Sequence, residues 1–242
     1  MNTCLKLPLL VGLLASLASA ATQAALYNFG LPSGSTYTAN STGASPIPDN
    51  NGSGVSFNLN FNDTGVDQIS AASVTFTISG GYNGDLYAYL SHGDSIVVLL
   101  NRIGRTTGNG DGSATSGFTT FTLNSSSATD VHGITGTAGQ PLTGTYAPDG
   151  RNILPSSSVA TFDAANRTAT FSTLVGAENP NGNWTLFFAD VSPGFSGSLT
   201  SWSVSVDAFA TPVPEPITWA MLSFGTLFGG LQIRRLLRSR PA

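Results

Sequence analysis

Apolar and polar side chains alternate one by one along several stretches of the chain. Residues 73–78 read Ser-Val-Thr-Phe-Thr-Ile, and residues 201–206 read Ser-Trp-Ser-Val-Ser-Val. Trp184, Leu186 and Phe188 have the same spacing. Because side chains of a β-strand point alternately to opposite faces, this pattern predicts strands with one buried face and one face covered by Ser and Thr. Residues 96–100 are continuously apolar, which predicts a strand covered on both faces.

Clusters of Gly, Asn and Pro separate these stretches, at residues 79–84, 108–112 and 179–182. Short strands divided by such turns favour an all-β fold, an antiparallel sandwich or barrel. Trp184 and Trp202 fall on apolar positions of the alternation, so we expect both in the core. Residues 113–145 hold few large apolar side chains, which predicts a long surface loop or insertion.

The composition excludes several classes of protein. Only 9% of the 242 residues are charged, against roughly 25% in typical soluble domains. Between the two ends lie four arginines, no lysine and twelve acids, a net charge of −8. Such a body would repel a phosphate backbone, so we expect no nucleic-acid partner. Cys4 is the only cysteine, which excludes an internal disulfide and a cysteine-based metal site.

Residues 1–24 have the organisation of a secretory signal peptide. Lys6 gives a positive start, residues 7–17 are largely apolar, and Ala18, Ser19 and Ala20 are the small residues that a signal peptidase needs. A short membrane anchor is the alternative, but the apolar run is well below the roughly 20 residues of a membrane span. We therefore expect export of the chain.

The C-terminal part combines three features in order. Val213, Pro214, Glu215 and Pro216 precede an apolar run at residues 217–233, which predicts a single transmembrane helix of roughly 25 Å. A basic cluster follows and predicts a cytoplasmic C-terminus. Its members are Arg234, Arg235, Arg238 and Arg240.

This tail resembles the PEP-CTERM sorting signal of Gram-negative bacteria. The resemblance implies transient anchoring in the inner membrane, recognition by an exosortase at the Pro-Glu-Pro motif, and delivery to the cell surface or extracellular matrix. An ordinary C-terminal anchor is the alternative. In either case the tail concerns destination and leaves the activity of the body open.

A series of short motifs follows in order through the body. They are Ile47-Pro48-Asp49, Gly84-Asp85-Leu86, Val98-Leu99-Leu100, Gly144-Thr145-Tyr146-Ala147-Pro148, Asn181-Gly182-Asn183-Trp184 and Gly197-Ser198-Leu199. Together they resemble the P domain of proprotein convertases and kexin-like subtilases, which implies a jelly-roll-like antiparallel β-sandwich. The predicted organisation is a signal peptide at 1–24, a lead-in strand at 25–46, the sandwich at 47–210 and the sorting signal at 211–242.

The sequence has no recognisable catalytic constellation. The subtilisin-type domain that accompanies P domains is missing, and no Gly-x-Ser-x-Gly turn is present. His92 and His132 are each followed by Gly, which we interpret as solvated positions near turns. General base catalysis needs partner residues that the sequence does not place. We therefore expect no enzymatic activity.

Asp85 and Asp190 are the candidate ligands for a metal ion. Both lie at the edges of strongly patterned strands, and the resemblance implies that such P domains hold Ca²⁺ with oxygen ligands. The alternative for Asp85 is a side chain that caps its own turn. Residues 109–112, Asn-Gly-Asp-Gly, resemble part of a Ca²⁺ loop, but Phe118 stands where the closing Glu would be, so we expect an ordinary turn.

These observations predict an exported, non-enzymatic protein of the cell surface or extracellular matrix. Its expected role is binding or structural, in exopolysaccharide or biofilm assembly, with exopolysaccharide or surface proteins as partners. Tyr82, Tyr87 and Tyr89 are expected to form an exposed aromatic patch for glycan or protein contact. The alternative is an accessory module that stabilises or targets a separate secreted subtilisin-like protease.

Overall fold

The computed structural model of the chain describes residues 35–62, 66–176 and 178–209. These residues form nine strands, one short helix and three single turns of 3-10 helix. The strands are β1 (Ser35–Ile47), β2 (Asn51–Phe61), β3 (Gln68–Gly80), β4 (Leu86–His92), β5 (Ser95–Asn101), β6 (Phe118–Asn124), β7 (Leu142–Tyr146), β8 (Gly182–Asp190) and β9 (Gly197–Phe209). The helix α1 covers Val159–Ala164, and the 3-10 turns cover Asn83–Asp85, Val131–Gly133 and Phe171–Thr173.

The strands form two sheets. The first has five strands in the order β1-β9-β3-β6-β7, and the second has four in the order β2-β8-β4-β5. Every neighbouring pair is antiparallel except β6 and β7, which are parallel. The predicted all-β architecture is confirmed, and both sheets are dominated by antiparallel pairs, as predicted. The parallel pair of β6 and β7 is a departure from the predicted antiparallel arrangement. The segment between β6 and β7 is long enough for the crossover that a parallel pair requires.

Large aromatic side chains fill the space between the sheets. Phe76 of β3 meets Phe188 of β8 with ring centroids 5.3 Å apart in an edge-to-face arrangement, which joins the two sheets. Phe76 also packs on Phe118 at 5.3 Å. Trp184 is fully buried and Trp202 is 3% exposed. The expected core position of both tryptophans is therefore confirmed.

The predicted surface loop at residues 113–145 is wrong in part. This stretch contains β6, which pairs with β3, and its side chains Phe118, Phe121 and Leu123 are fully buried. The first two are three residues apart because the register shifts between them and Thr120 adopts a positive φ of 46°. Such a bulge breaks the period-two alternation, so the strand pattern is hidden in the sequence.

The long connection between β7 and β8 covers the edge strand β5. The Val98 N–H donates to the carbonyl of Ala169 at 2.9 Å, and the Gly150 N–H donates to the carbonyl of Val98 at 2.9 Å. Residues 97–100 are consequently all buried. The prediction of a strand covered on both faces is confirmed, and the sheet edge is protected from further pairing.

Several predicted segments lie outside the described residues. They are the signal peptide at 1–24, the sorting motif Val213, Pro214, Glu215 and Pro216, the membrane helix at 217–233, and the cluster Arg234, Arg235, Arg238 and Arg240. Within the part of the chain that is described, no helix has the length and apolar character needed to cross a membrane.

Candidate binding site

Three aromatic side chains lie together on the outer face of the second sheet. Tyr87 and Tyr89 belong to β4, and Phe187 belongs to the neighbouring strand β8. Tyr89 stacks on Phe187 with ring centroids 4.7 Å apart and planes at 14°. Tyr87 meets Phe187 at 6.3 Å and Tyr89 at 6.1 Å, in edge-on arrangements. All three rings are half-buried, so they keep a face toward solvent.

The alternation along both strands explains why these rings face outward. On β8 the side chains of Trp184, Leu186 and Phe188 point into the core, so Phe187 points to the opposite face. The aromatic patch was predicted for the tyrosines, and Phe187 was missed. The sequence signal for Phe187 is a large aromatic residue that lies between the inward-facing positions 186 and 188.

A loop forms the opposite wall of an open groove beside this aromatic cluster. Residues 152–156 line it together with the three rings, and the groove has a volume of about 750 Å³. Leu154 in this loop is 72% exposed. The buried side chain of Asn101, at the end of β5, holds the wall because its Nδ2 donates to the carbonyls of Arg151 (3.1 Å) and Ile153 (3.0 Å).

The strand β2 makes room for the groove at its rim. Its register with β8 shifts between Asn51 and Val55, and Gly54 within this bulge has a φ of 53°. A Cβ atom at position 54 would clash with the Phe187 ring and with the backbone carbonyl of Phe188. Only glycine therefore lets β2 pass this close to the aromatic cluster.

Arg102 lines the groove but is engaged inside the protein. Its Nη2 donates to Asp85 Oδ1 at 3.3 Å and to Ser192 Oγ at 3.1 Å, and its Nε donates to the carbonyl of Gly84 at 2.9 Å. Burial raises the pKa of the Asp85 carboxyl, and the hydrogen bonds of Ser192 and Arg102 oppose this rise. The guanidinium thus satisfies buried acceptors and is 8% exposed to the groove.

Asp190 is the last residue of β8 and pairs with Leu86, the residue that follows Asp85. It is fully buried, and its Oδ1 accepts from the Ser192 N–H at 3.3 Å. Its Oδ2 has no hydrogen-bond partner among the described residues. Burial, with the negative charges of Asp85 and Asp49, outweighs that hydrogen bond and raises the pKa of Asp190 to about 6. A buried carboxyl in this state is neutral in mildly acidic solution.

The structure brings the two predicted Ca²⁺ ligands, Asp85 and Asp190, to the same end of the second sheet. Arg102 already supplies a positive charge there. Within residues 35–62, 66–176 and 178–209, no three His, Cys, Asp or Glu side chains are grouped so that they could hold a metal ion. The Ca²⁺ assignment stays a prediction.

The expectation that both histidines are solvated is wrong. His132 is 5% exposed; its Nδ1 lies 2.7 Å from Asp149 Oδ2, and its Nε2 lies 3.0 Å from the carbonyl of Arg105. Burial lowers the pKa of His132, but these two acceptors outweigh burial and leave that pKa above its usual value. His92 is 4% exposed and stacks on Trp184 with ring centroids 4.1 Å apart. Tertiary packing covers both rings, which the neighbouring glycines did not indicate.

Polar side chains continue the outer face beyond the aromatic cluster. Asn58 Oδ1 accepts from Thr185 Oγ1 at 2.7 Å and from Asn183 Nδ2 at 3.2 Å. These side chains link β2 to β8, and Asn183 and Thr185 line a second open groove of about 450 Å³. Glu178 lines it too and accepts from Ser95 Oγ at 2.8 Å.

Tyr82 does not join the aromatic cluster, so the prediction of a shared aromatic patch is wrong for Tyr82. Its ring stacks on Phe195, with centroids 6.0 Å apart. Phe195 is 63% exposed. The residues 109–112 form the expected turn, in which Asn109 Nδ2 donates to the carbonyl of Gly112 at 2.7 Å.

Comparisons with known proteins give a distant structural likeness. No protein-family model matches the chain, and no curated protein matches it. The serine protease of Aeromonas sobria, solved in complex with its chaperone, is similar with a TM-score of 0.43 and 15% identity over 79% of this chain. The same protease solved alone gives a TM-score of 0.41 and 14% identity over 78%. This chain spans 30% of the length of the solved chains. No family membership follows from these values.

Proposed function

We propose that this protein is an exported, non-catalytic binding module that acts at the cell surface or in the extracellular matrix. The observation that carries the proposal is the groove beside Tyr87, Tyr89 and Phe187. Aromatic side chains and a few polar groups around an open groove of this volume are typical of binding sites. Large rings exposed to solvent on a sheet face contribute to ligand contact more than to the core.

The engagement of the acid-base groups supports a non-catalytic role. Arg102 is bonded to Asp85, and both ring nitrogens of His132 face acceptors within the protein. His92 is held in the same way by the carbonyls of Asn183 and Asn179. A general base needs a free nitrogen or oxygen within reach of a substrate proton. Asp190 has a free oxygen, but the side chain is fully buried.

The activity test uses the full chain in mild detergent against a panel of peptide and glycoside substrates. We expect no turnover above the buffer control. Turnover that the Asp190→Asn variant abolishes would overturn the non-catalytic proposal, because the pKa of Asp190 is raised to about 6, within the range of a general acid or base. The matched control is Asp111→Asn, an exposed acid in a turn.

Export and sorting are proposed from the two terminal segments. Signal peptidase would cut after Ala20 or Ala24, and an exosortase would act near Pro214, Glu215 and Pro216 after transient anchoring in the inner membrane. The intact mass of the protein from its native cells tests this. We expect a chain that begins near Ala21 or Ala25 and ends between residues 212 and 216. A chain that retains residues 217–242 would contradict the sorting proposal.

A second candidate function is that of an accessory module for a separate secreted subtilisin-like protease. The exposed side chains Leu154 and Phe195 favour it, because large apolar side chains on a surface are typical of protein interfaces. Cross-linking in native culture followed by mass spectrometry tests this candidate. Loss of the protease's stability in cells that lack this chain would support it, and unchanged protease stability would contradict it.

A further inference from the structure

We infer that the outer face of the second sheet is a binding track for an uncharged polysaccharide, with Tyr89 and Phe187 as the stacking platform. This inference rests on the proposed binding function and names the class of ligand. Its first support is the chemistry of the aromatic cluster. A pyranose ring has an apolar C–H face and a rim of hydroxyl groups, and a stacked pair of half-exposed rings offers a matching apolar surface.

The second support is the arrangement of polar groups along the same face. Asn183, Thr185 and Phe187 follow one another at alternate positions of β8, over about 14 Å of strand. The aromatic groove lies at one end of this line and the polar groove at the other. A linear polymer can contact both, whereas a small molecule would fill only one.

The third support is the supply of hydrogen-bonding groups suited to hydroxyls. Among the described residues, neither the Tyr87 nor the Tyr89 hydroxyl makes a hydrogen bond. A tyrosine hydroxyl can both donate and accept a hydrogen bond, as a sugar hydroxyl requires. The hydrogen bonds between Asn58, Asn183 and Thr185 fix the positions of the amides that would meet the sugar hydroxyls.

Charge selects an uncharged polymer over an acidic one or a protein. None of the outward side chains of β2, β4 and β8 in this face is charged; they are Ser56, Asn58, Asn60, Tyr87, Tyr89, Ser91, Asn183, Thr185 and Phe187. Arg102, in the aromatic groove, is paired with Asp85. Glu178, in the polar groove, accepts a hydrogen bond from Ser95 and adds a negative charge there. The body carries a net charge of −8, which repels acidic polymers. Protein interfaces usually have a charged or polar rim around their apolar centre, and ion pairs there guide association.

The test is affinity gel electrophoresis of the full chain in mild detergent. The gels contain one of four neutral polysaccharides (dextran, laminarin, galactomannan or xyloglucan), the acidic polysaccharide alginate, or no polymer. We expect at least one neutral polysaccharide to retard the chain and alginate to have no effect. Tyr89→Ala and Phe187→Ala should each weaken the apparent affinity at least tenfold, and Asn58→Ala about threefold.

Control variants separate loss of contact from loss of folding. Phe187→Tyr keeps a stacking ring and should retain binding, whereas Phe187→Leu keeps apolar volume without a ring and should lose it. Phe195→Ala removes an exposed aromatic ring outside the track and should leave retardation unchanged. Circular dichroism monitors the fold of each variant.

Three results of the electrophoresis would overturn the inference. They are no retardation by any of the four neutral polysaccharides, retardation by alginate as strong as by a neutral one, and retardation that Phe187→Leu and Tyr89→Ala leave unchanged. A secreted protein that cross-links to the folded chain, and is lost with Phe187→Leu, would contradict the polysaccharide inference while the proposed binding function stands. Turnover dependent on Asp190 would instead contradict the proposed function.

Discussion

The outer faces of the two sheets carry different kinds of side chain. On the first sheet, β3 and β9 present Ser73, Thr75 and Thr77 beside Ser201 and Ser203, all half-buried. The inner faces of β3 and β9 in the first sheet, and of β4 and β8 in the second, are largely apolar and buried. On the second sheet the outward positions carry two tyrosines, a phenylalanine and several amides. Small hydroxyl side chains are sufficient to cover a strand of this sandwich.

The difference between the two faces supports the proposal that the outer face of the second sheet has a role beyond folding. Thr75 and Thr122 hydrogen-bond to each other at 2.9 Å across β3 and β6, so their polar groups are satisfied within the sheet. The Tyr87 and Tyr89 rings expose apolar area to water, which brings no benefit to the folded chain. Such area becomes favourable when a ligand covers it. Substitutions at inner and outer positions should therefore differ in their effect on stability.

Removal of a ring from the inner face should have the largest effect. Trp184 is fully buried, and its Nε1 donates to the carbonyl of Pro180 at 3.0 Å. We expect Trp184→Ala to lower the free energy of unfolding by about 3–5 kcal/mol, because it creates a cavity and removes packing against His92. Urea denaturation measures this change. A loss below that of Phe187→Ala would break the contrast between the inner and outer faces of β8.

The inner face of β8 ends at the carboxyl of Asp190, which should make the free energy of unfolding depend on pH. The pKa of Asp190 is raised from 3.8 to about 6 in the folded protein. Its contribution to stability is therefore present below pH 3.8 and lost as the pH rises through about 6. The loss amounts to at most about 3 kcal/mol.

Asp190→Asn replaces this carboxyl with a neutral group of the same shape. We expect the variant to be more stable than the wild type at pH 7 and of similar stability at pH 4. The difference between the two unfolding free energies, measured across pH 4–7, tests this. A constant difference over that range would show that the carboxyl is as well solvated in the folded protein as in the unfolded chain.

Removal of the outer aromatic ring should cost much less stability. Phe187 is half-buried and stacks on Tyr89. We expect Phe187→Ala to lower the free energy of unfolding by about 1 kcal/mol, since a stacked pair contributes roughly 0.5–1.5 kcal/mol and little cavity forms. Thermal unfolding of this variant beside Trp184→Ala measures the ratio. Equal losses would place Phe187 in the core and remove the main support for the binding groove.

The smallest effect is expected on the outer face of the first sheet. Thr75→Ala removes one hydroxyl from a cross-strand pair with Thr122. We expect a loss of about 0.5 kcal/mol, because the freed hydroxyl can bond to water on this half-exposed face. A double-mutant cycle with Thr122→Ala measures the pair. A coupling above about 1 kcal/mol would mean that hydroxyl pairs, as well as the inner rings, determine the stability of this sheet.

The strands with strict alternation were predictable and the site was only partly so. Val74, Phe76 and Ile78 are buried as the pattern indicates, and Tyr87 and Tyr89 lie on an outer face. The strand β6 was not predictable because its bulge at Thr120 changes the spacing of Phe118 and Phe121. The wall around Leu154 was not predictable either, because it depends on Asn101, fifty residues away, bonding to two backbone carbonyls.

Three properties follow from the sequence alone: the all-β class, the inner and outer phase of the regular strands, and the acidic, lightly charged body. These properties depend on side-chain type and on a spacing of two residues, which are local quantities. The tertiary structure alone decided which outward rings meet. Tyr89 and Phe187 are 98 positions apart and stack because β4 pairs with β8, whereas Tyr82, five residues before Tyr87, stacks on Phe195 instead. Strand pairing is a long-range property, so the groove beside the aromatic cluster exists only in the folded chain.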